Sequence, residues 1–128
     1  MDGCRVDSTA SPQFNTLREG WKKSGYSSID ADLEEAFKSI RINVQACQCK
    51  PIVLPKEILG DFLLFKYRAK NKSAKEGASG GWRFYALFDR SRAILYPIIV
   101  YPKKKWVDAA TELIKQSLAE IIAILSSN

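Results

Sequence analysis

The sequence predicts an α+β fold, in which an N-terminal helical hairpin precedes an antiparallel β-sheet meander and a C-terminal helix ends the domain. Apolar residues recur at spacings of three and four near both ends of the chain, as on one face of a helix. In the middle, the spacing changes to two, and aromatic and β-branched residues alternate between turn residues. The chain has 128 residues, which suits one domain with a buried core.

The predicted hairpin consists of two helices joined by a short turn at residues 24–28. Phe14, Leu17 and Trp21 indicate the first helix, which Gly25 would end. The second helix begins near Ser28, a favourable residue type at a helix N-terminus. Its first turns carry acidic residues, which interact favourably with the helix dipole; these are Asp30, Asp32, Glu34 and Glu35. Its apolar stripe consists of Ile29, Leu33, Phe37, Ile40 and Val44.

The regions before and after the hairpin lack a helical pattern. We expect residues 1–11 to be disordered or to form a short edge strand, and residues 12–128 to form the single domain. Between residues 49 and 60, Pro51 and Pro55 are expected to interrupt regular structure.

Three strands are predicted at residues 62–68, 82–89 and 93–101. The first connection is long and rich in lysine and glycine, and the second is short enough for a hairpin. Pro97 indicates an edge position or a bulge in the third strand. An amphipathic helix follows at about residues 107–125, and we expect it to pack through Leu113, Leu118 and Ile122.

Positive charge is concentrated in the strand-rich part of the chain. Eleven basic and two acidic residues lie between Lys66 and Lys105, so this segment has a net charge of +9, whereas the whole chain has +6. A focused positive field attracts polyanions, and nucleic acid is the natural ligand. A solvated basic surface without a partner explains the charge equally well.

The cysteines and the absence of histidine restrict the possible chemistry. Cys47 and Cys49 are poorly placed to bridge each other, and an odd count of three suits a reducing compartment. Structural zinc bound by cysteine alone needs four thiolates, so we expect no metal and no other cofactor. No apolar run approaches the ~20 residues of a membrane span, and no signal peptide is recognisable. We therefore expect a cytoplasmic protein with no membrane partner.

Side-chain alternation assigns the charged and aromatic strand residues to faces. Arg83 and Tyr85 share one face of the second strand, and Lys66 and Arg68 share one face of the first. Tyr101 lies on the third strand. If the register aligns these faces, the side chains meet on one exposed, concave sheet surface with the lysine-rich connection at its rim.

Several strings in this order resemble the toxins of the RelE/ParE superfamily from bacterial toxin–antitoxin modules. The resemblance covers residues from about 11 to 125. Its N-terminal part is Pro12-Gln13-Phe14, then Tyr26-Ser27-Ser28-Ile29 and Asp32-Leu33. Its central part is Phe65-Lys66-Tyr67-Arg68, then Gly77-Ala78-Ser79-Gly80-Gly81-Trp82-Arg83-Phe84-Tyr85. Its last part is Ile99-Val100-Tyr101-Pro102-Lys103-Lys104, which is similar to the family's I-Y-x-K ending of the last strand.

The resemblance implies one of two activities. RelE-type toxins cleave mRNA in the ribosomal A site without a metal ion, whereas ParE-type toxins inhibit DNA gyrase. A third alternative is a catalytically inactive family member that binds only its antitoxin or RNA. Arg83, Tyr101 and Lys103 favour the endoribonuclease. The implied partners are a cognate antitoxin protein, mRNA and the ribosome.

Metal-free RNA cleavage requires fixed cations, a general base and a general acid. The 2′-hydroxyl attacks the adjacent phosphate, and cations aimed at that phosphate stabilise the transition state. Arg83 is the first candidate because its planar guanidinium matches a phosphate, and Arg68 is the second. Without histidine, the acid and the base would be Tyr101, Lys103 or a lysine of the long connection.

A further set of residues is predicted to bind RNA without taking part in the reaction. Its lysines would contact phosphates, and its tyrosine can stack on a base. The set is Lys66, Lys70, Lys72, Lys75, Tyr85, Lys104 and Lys105.

Overall fold

The computed structural model describes residues 5–42, 49–52, 62–106 and 110–126. These residues form an α+β structure, which confirms the predicted fold class. The elements in chain order are β1 (Arg5–Val6), α1 (Pro12–Lys23), α2 (Ile29–Ile42), β2 (Cys49–Ile52), β3 (Phe62–Ala69), β4 (Trp82–Asp89), β5 (Ile94–Pro102) and α3 (Ala110–Ser126). Within the described ranges, no helix combines the length and the apolar character that crossing a bilayer requires.

The five strands form one sheet in the order β1-β5-β4-β3-β2. The predicted meander β3–β4–β5 is antiparallel, and these strands lie within a residue or two of their predicted positions. The prediction of a wholly antiparallel sheet is wrong, because β1 pairs parallel with β5. The main-chain amides of Arg5 and Asp7 donate to Ala93 O at 2.8 Å and to Leu95 O at 2.9 Å. The N-terminal segment thereby satisfies part of an otherwise open edge.

Strand β2 corrects the expectation that residues 49–60 lack regular structure. It pairs antiparallel with β3, and Pro51 lies opposite Phe65. A proline is tolerated in an edge strand, where its missing N–H is directed away from the ladder. The sequence rule for proline therefore fails here because β2 is the outermost strand. Pro55 lies outside the described residues.

Pro97 is accommodated by a β-bulge in an inner strand. Tyr85 pairs with Ile99, whereas Ala86 pairs with Pro97, so Ile98 is an extra residue in β5. A bulge adds one residue and releases a ladder hydrogen bond that proline cannot donate. Of the two predicted alternatives, the bulge is confirmed.

The helical hairpin packs on the sheet face that contains Trp82, Phe84, Ala86 and Phe88, here called the hairpin face. Helix α1 begins with a proline, whose fixed φ suits the first helical turn. Gly25, with φ +110°, follows its end, as predicted. The predicted stripe of α2 is buried at Ile29, Leu33 and Ile40 and partly buried at Phe37. Val44 lies outside the described residues.

Helix α3 packs on the opposite face of β5, here called the α3 face. Leu118 and Ile121 are buried there in a cluster with Leu87, Tyr96 and Ile99. Leu113 and Ile122 are partly buried in the same cluster, which confirms the predicted packing of the last helix. Ser117 Oγ donates to Gln13 Oε1 at 3.2 Å, and Gln13 Nε2 donates to Glu120 Oε1 at 3.1 Å. These bonds join α3 to α1. The predicted start of the helix at residues 107–109 lies outside the described residues.

Candidate nucleic-acid interface

Three predicted site residues lie side by side across the sheet. Arg68 of β3 pairs with Arg83 of β4, and Arg83 pairs with Tyr101 of β5. In the next row, Lys66 pairs with Tyr85. The alignment expected from side-chain alternation is therefore confirmed.

The prediction that this surface is exposed is wrong at Arg83. Its side chain is 3% exposed, and it donates hydrogen bonds to three main-chain carbonyls. Nη1 donates to Ala78 O at 2.8 Å and to Trp82 O at 3.2 Å, and Nη2 donates to Ser79 O at 2.6 Å. Burial and then the neighbouring Arg68 lower the pKa of Arg83. Alternation identifies the face of a strand residue but not what covers it, and here the preceding loop supplies the acceptors.

Tyr101 is also buried, at 6% exposure. Its ring stacks on Trp106 with centroids 5.3 Å apart and an interplanar angle of 19°. Burial, together with the neighbouring Tyr85, to which it is hydrogen-bonded, raises the pKa of Tyr101 to about 12. At neutral pH its phenol is protonated, so Tyr101 can donate a proton or a hydrogen bond but does not serve as a base.

Tyr85, the predicted base-stacking residue, is buried as well. Lys66 Nζ lies 5.8 Å from the centre of its ring, within the range of a cation–π interaction. Tyr85 therefore contacts Lys66 and Tyr101, and its ring is not exposed for stacking on a base.

The predicted lysines other than Lys66 are exposed and lie on two adjacent segments, the loop 70–81 and the turn 103–105. Lys103 N donates to Gly81 O at 3.0 Å, and Lys103 Nζ donates to Ser79 O at 3.1 Å, so these segments touch. Together with the exposed end of β3 they form what we call the basic surface. Its cations are Arg68, Lys70, Lys72, Lys75, Lys103, Lys104 and Lys105.

Among the described residues, acidic side chains form ion pairs with two of these seven cations. Lys72 Nζ lies 3.3 Å from Glu35 Oε2, and Lys104 forms an ion pair with Glu76. Both lysines are more than half exposed, and exposed ion pairs contribute little to stability. They can therefore exchange their partners for phosphates.

The loop 70–81 has a defined internal structure. Asn71 and Glu76 exchange two main-chain hydrogen bonds of 2.9 Å, which closes a tight turn around Lys75 in the left-handed region, with φ 55°. A Cβ on Gly81 would overlap the carbonyl oxygen of Ala69. Glycine is thus required where the loop returns to β4.

Asp32 anchors the loop from the hairpin face, a role that the sequence did not reveal. Its Oδ2 accepts hydrogen bonds from Ser28 Oγ at 2.7 Å, Trp82 Nε1 at 3.0 Å and Lys72 N at 3.1 Å. Ser28 also bonds to Ser73, with the two hydroxyl oxygens 2.6 Å apart. In the sequence, Asp32 is only one of several acids at the start of a helix. The four-residue spacing between Ser28 and Asp32 is the sequence feature that could have indicated this hydrogen-bond network.

Comparison with protein-family models, curated proteins and solved structures finds no match to this chain. The resemblance to the RelE/ParE superfamily consequently depends on the quoted residues alone. Within the described part of the chain, no three carboxylate or cysteine side chains are grouped so that they could hold a metal ion.

We expect Arg83→Ala to lower the free energy of unfolding by about 3 kcal/mol. The change removes three hydrogen bonds that a charged donor makes to main-chain carbonyls, of which only Ser79 O keeps the bond from Lys103 Nζ described above. Arg68→Ala is the matched control, since it removes an exposed arginine from the paired position in β3. That change should stay within about 0.5 kcal/mol. Urea unfolding of both variants measures the difference, and equal small losses would contradict the structural role of Arg83.

We expect Tyr101 to make stability depend on pH at high pH. The folded protein raises its pKa from 10.0 to about 12, so the stabilisation is complete below about pH 10 and is lost as the pH rises towards 12. Between pH 9 and 12, the unaltered protein should lose about 2 kcal/mol more than Tyr101→Phe, which cannot ionise. Urea unfolding across this range tests the sign, and parallel curves for the two proteins would contradict it.

Proposed function

We propose that this protein binds RNA through the basic surface and acts as a RelE-like toxin, an mRNA endoribonuclease that works on the ribosome. The main support is the placement of seven cations on adjoining exposed segments beside the Arg68–Arg83–Tyr101 row. Cations that neutralise phosphates provide most of the affinity for a nucleic-acid backbone. Action on mRNA and ribosomes also implies a cytoplasmic location.

The proposed chemistry assigns different roles to the two paired arginines. Arg68 is exposed and presents its guanidinium to a phosphate, where it would stabilise the charge of the transition state. Arg83 acts as a positioning residue, because its donors are bound to the loop that carries the other cations.

Proton transfer would fall to the other two members of the site. Tyr101 is protonated at neutral pH and would donate to the leaving 5′-oxygen. Lys103 or a lysine of the loop 70–81 would have to be in its neutral amine form to accept the proton of the 2′-hydroxyl, since an ammonium group has no lone pair. Lys103 Nζ is bound to Ser79 O, next to the carbonyl groups that Arg83 holds.

The RelE/ParE arrangement and the antitoxin are part of the same proposal. The order of hairpin, antiparallel strands β3–β5 and terminal helix supports it. An antitoxin with an acidic segment would cover the basic surface, since it would offer carboxylates in place of phosphates.

A second candidate is a catalytically inactive family member that binds RNA or an antitoxin. The hydrogen bonds of Arg83 favour it, because three of its N–H donor interactions are made with the main chain and not with a substrate. The protonated Tyr101 favours it as well, since it removes one candidate base. Gyrase inhibition is the remaining alternative.

We expect the purified protein to cleave mRNA in translating ribosomes and Arg68→Ala to slow cleavage by about 10²–10³-fold, as for the loss of one transition-state donor. Arg68→Lys should restore little, because an ammonium group lacks the planar guanidinium. Arg92→Ala is the control, since Arg92 is also an exposed arginine but lies in the β4–β5 turn. It should cleave at the unaltered rate. Primer extension on the mRNA measures the cuts.

Other results of these experiments would support one of the alternative functions. RNA binding without cleavage would support the inactive binding module. Continued translation with loss of DNA supercoiling in cells that express the protein would support the gyrase inhibitor. No effect on either process and no RNA binding would contradict the proposed function.

A further inference from the structure

A cleft lies between the α1–α2 turn and the two loop segments of the basic surface. It consists of two cavities of about 320 and 280 Å³, which adjoin because Tyr26 and Lys105 line both. The first cavity extends to Trp21 and Ser73, and the second extends to Lys104. The cleft therefore has aromatic residues on one side and lysines of the basic surface on the other.

A series of aromatic contacts connects this cleft to the Arg68–Arg83–Tyr101 row. Tyr101 stacks on Trp106, and the ring centres of Trp106 and Trp21 are 5.5 Å apart. Trp21 in turn contacts Tyr26, with 5.9 Å between the ring centres. Its indole is held in place, because Nε1 donates to Val100 O at 2.9 Å. Trp21 and Tyr26 are both partly exposed, so the cleft offers aromatic surface in a fixed position.

The turn 103–105 places three exposed lysines between the row and the cleft. Lys103 Nζ donates to Ser79 O, which also accepts from Arg83 of the row. Lys104 and Lys105, in contrast, line the cleft. A nucleic-acid strand whose phosphates contact these lysines in order passes from the row to the cleft.

We propose that the cleft holds an unpaired nucleobase of the RNA strand that contacts the basic surface. The inference rests on the RNA-binding part of the proposed function. A base that leaves its stack loses contact with its neighbours, and an aromatic side chain can replace them. Tyr26 supplies the ring, and Lys105 neutralises an adjoining phosphate. Each cavity lies at the lower end of the volume range for small-ligand sites, which suits one base.

The polar side chains of the cleft favour stacking over the recognition of one particular base. Ser24 Oγ donates to Gly20 O at 2.9 Å, and Ser73 Oγ donates to Ser28 Oγ at 2.6 Å. Both hydroxyl protons are thus used within the protein and do not read the edge of a base. Stacking on Tyr26 tolerates every base, because each base has a π face.

The test compares an RNA of five uridines with an abasic strand of the same length, which has the same phosphates but no bases. The unaltered protein should bind the RNA about tenfold more tightly, as for one stacked base. Tyr26→Leu keeps an apolar side chain against Trp82, whose ring centre lies 5.2 Å from that of Tyr26, but removes the aromatic ring. It should weaken binding of the RNA about tenfold and leave binding of the abasic strand unchanged. Tyr26→Phe should bind both as the unaltered protein does. Fluorescence anisotropy of end-labelled strands measures the affinities.

Two further variants keep the test decisive. Tyr67→Leu is the matched control, since it makes the same change at another partly exposed tyrosine, whose ring lies 5.1 Å from that of Phe84. It should retain the preference for the RNA. Ser24→Gln enlarges an exposed side chain on the wall of the cleft while Tyr26 stays intact. It should weaken binding of the RNA to the level of the abasic strand. If Tyr26→Leu does not fold, the result for Ser24→Gln decides.

The possible failures are distinguishable. Equal affinity of the unaltered protein for the two strands would overturn the base site and leave phosphate binding intact. Full affinity of Tyr26→Leu for the RNA would also overturn it, as would a loss that is equal for the two strands. Failure of the unaltered protein to bind either strand would overturn the proposed RNA binding itself.

Discussion

The hydrogen bonds from the guanidinium of Arg83 to the loop 70–81 determine where the positive charge of this protein lies. The loop carries three lysines and holds a fourth, because Lys103 donates to the same Ser79 carbonyl oxygen that accepts from Arg83. A buried cation is costly unless its donors are satisfied. Here the carbonyl dipoles of the loop satisfy them, so the loop and the charged strand residue stabilise each other.

The loop is fixed from both faces of the sheet by consecutive residues of β4. Trp82 extends to the hairpin face and donates to Asp32, which also accepts from the main chain of Lys72. Arg83 extends to the α3 face and binds the carbonyls of Ala78 and Ser79. Since both anchors are buried, the main chain that carries the exposed lysines is held in place at two points. Preorganised cations bind phosphate with a smaller loss of conformational entropy than mobile ones.

Much of the fold followed from local patterns, whereas the burial of the site did not. The period of two assigned Arg68 and Arg83 to faces of their strands, but the register that aligns them with Tyr101 was only a condition of the prediction. Pro97 indicated an edge position or a bulge, and the structure has the bulge. Strand β2 was missed because a proline is disfavoured in a ladder but tolerated at an edge. The burial of Arg83 and the role of Asp32 depend on contacts such as Ser28–Ser73, between residues 45 positions apart. Such contacts leave no periodic signal in the sequence. For the same reason, residue types and a resemblance indicated which residues could form a site. They did not indicate which hydrogen-bond donors at that site are free to bind a substrate.

The salt dependence of RNA affinity tests most directly whether the basic surface is the nucleic-acid interface. The first variant replaces three exposed lysines of the basic surface with glutamine, namely Lys70, Lys75 and Lys105. The control replaces three exposed lysines on the helices, namely Lys23, Lys38 and Lys115. Both variants lose the same charge.

For single-stranded RNA, each phosphate contact contributes about −0.7 to the slope of log affinity against log salt. The account predicts that the first variant has a slope about 2 units shallower and that the control keeps the slope of the unaltered protein. Equal slopes for the two variants would contradict it.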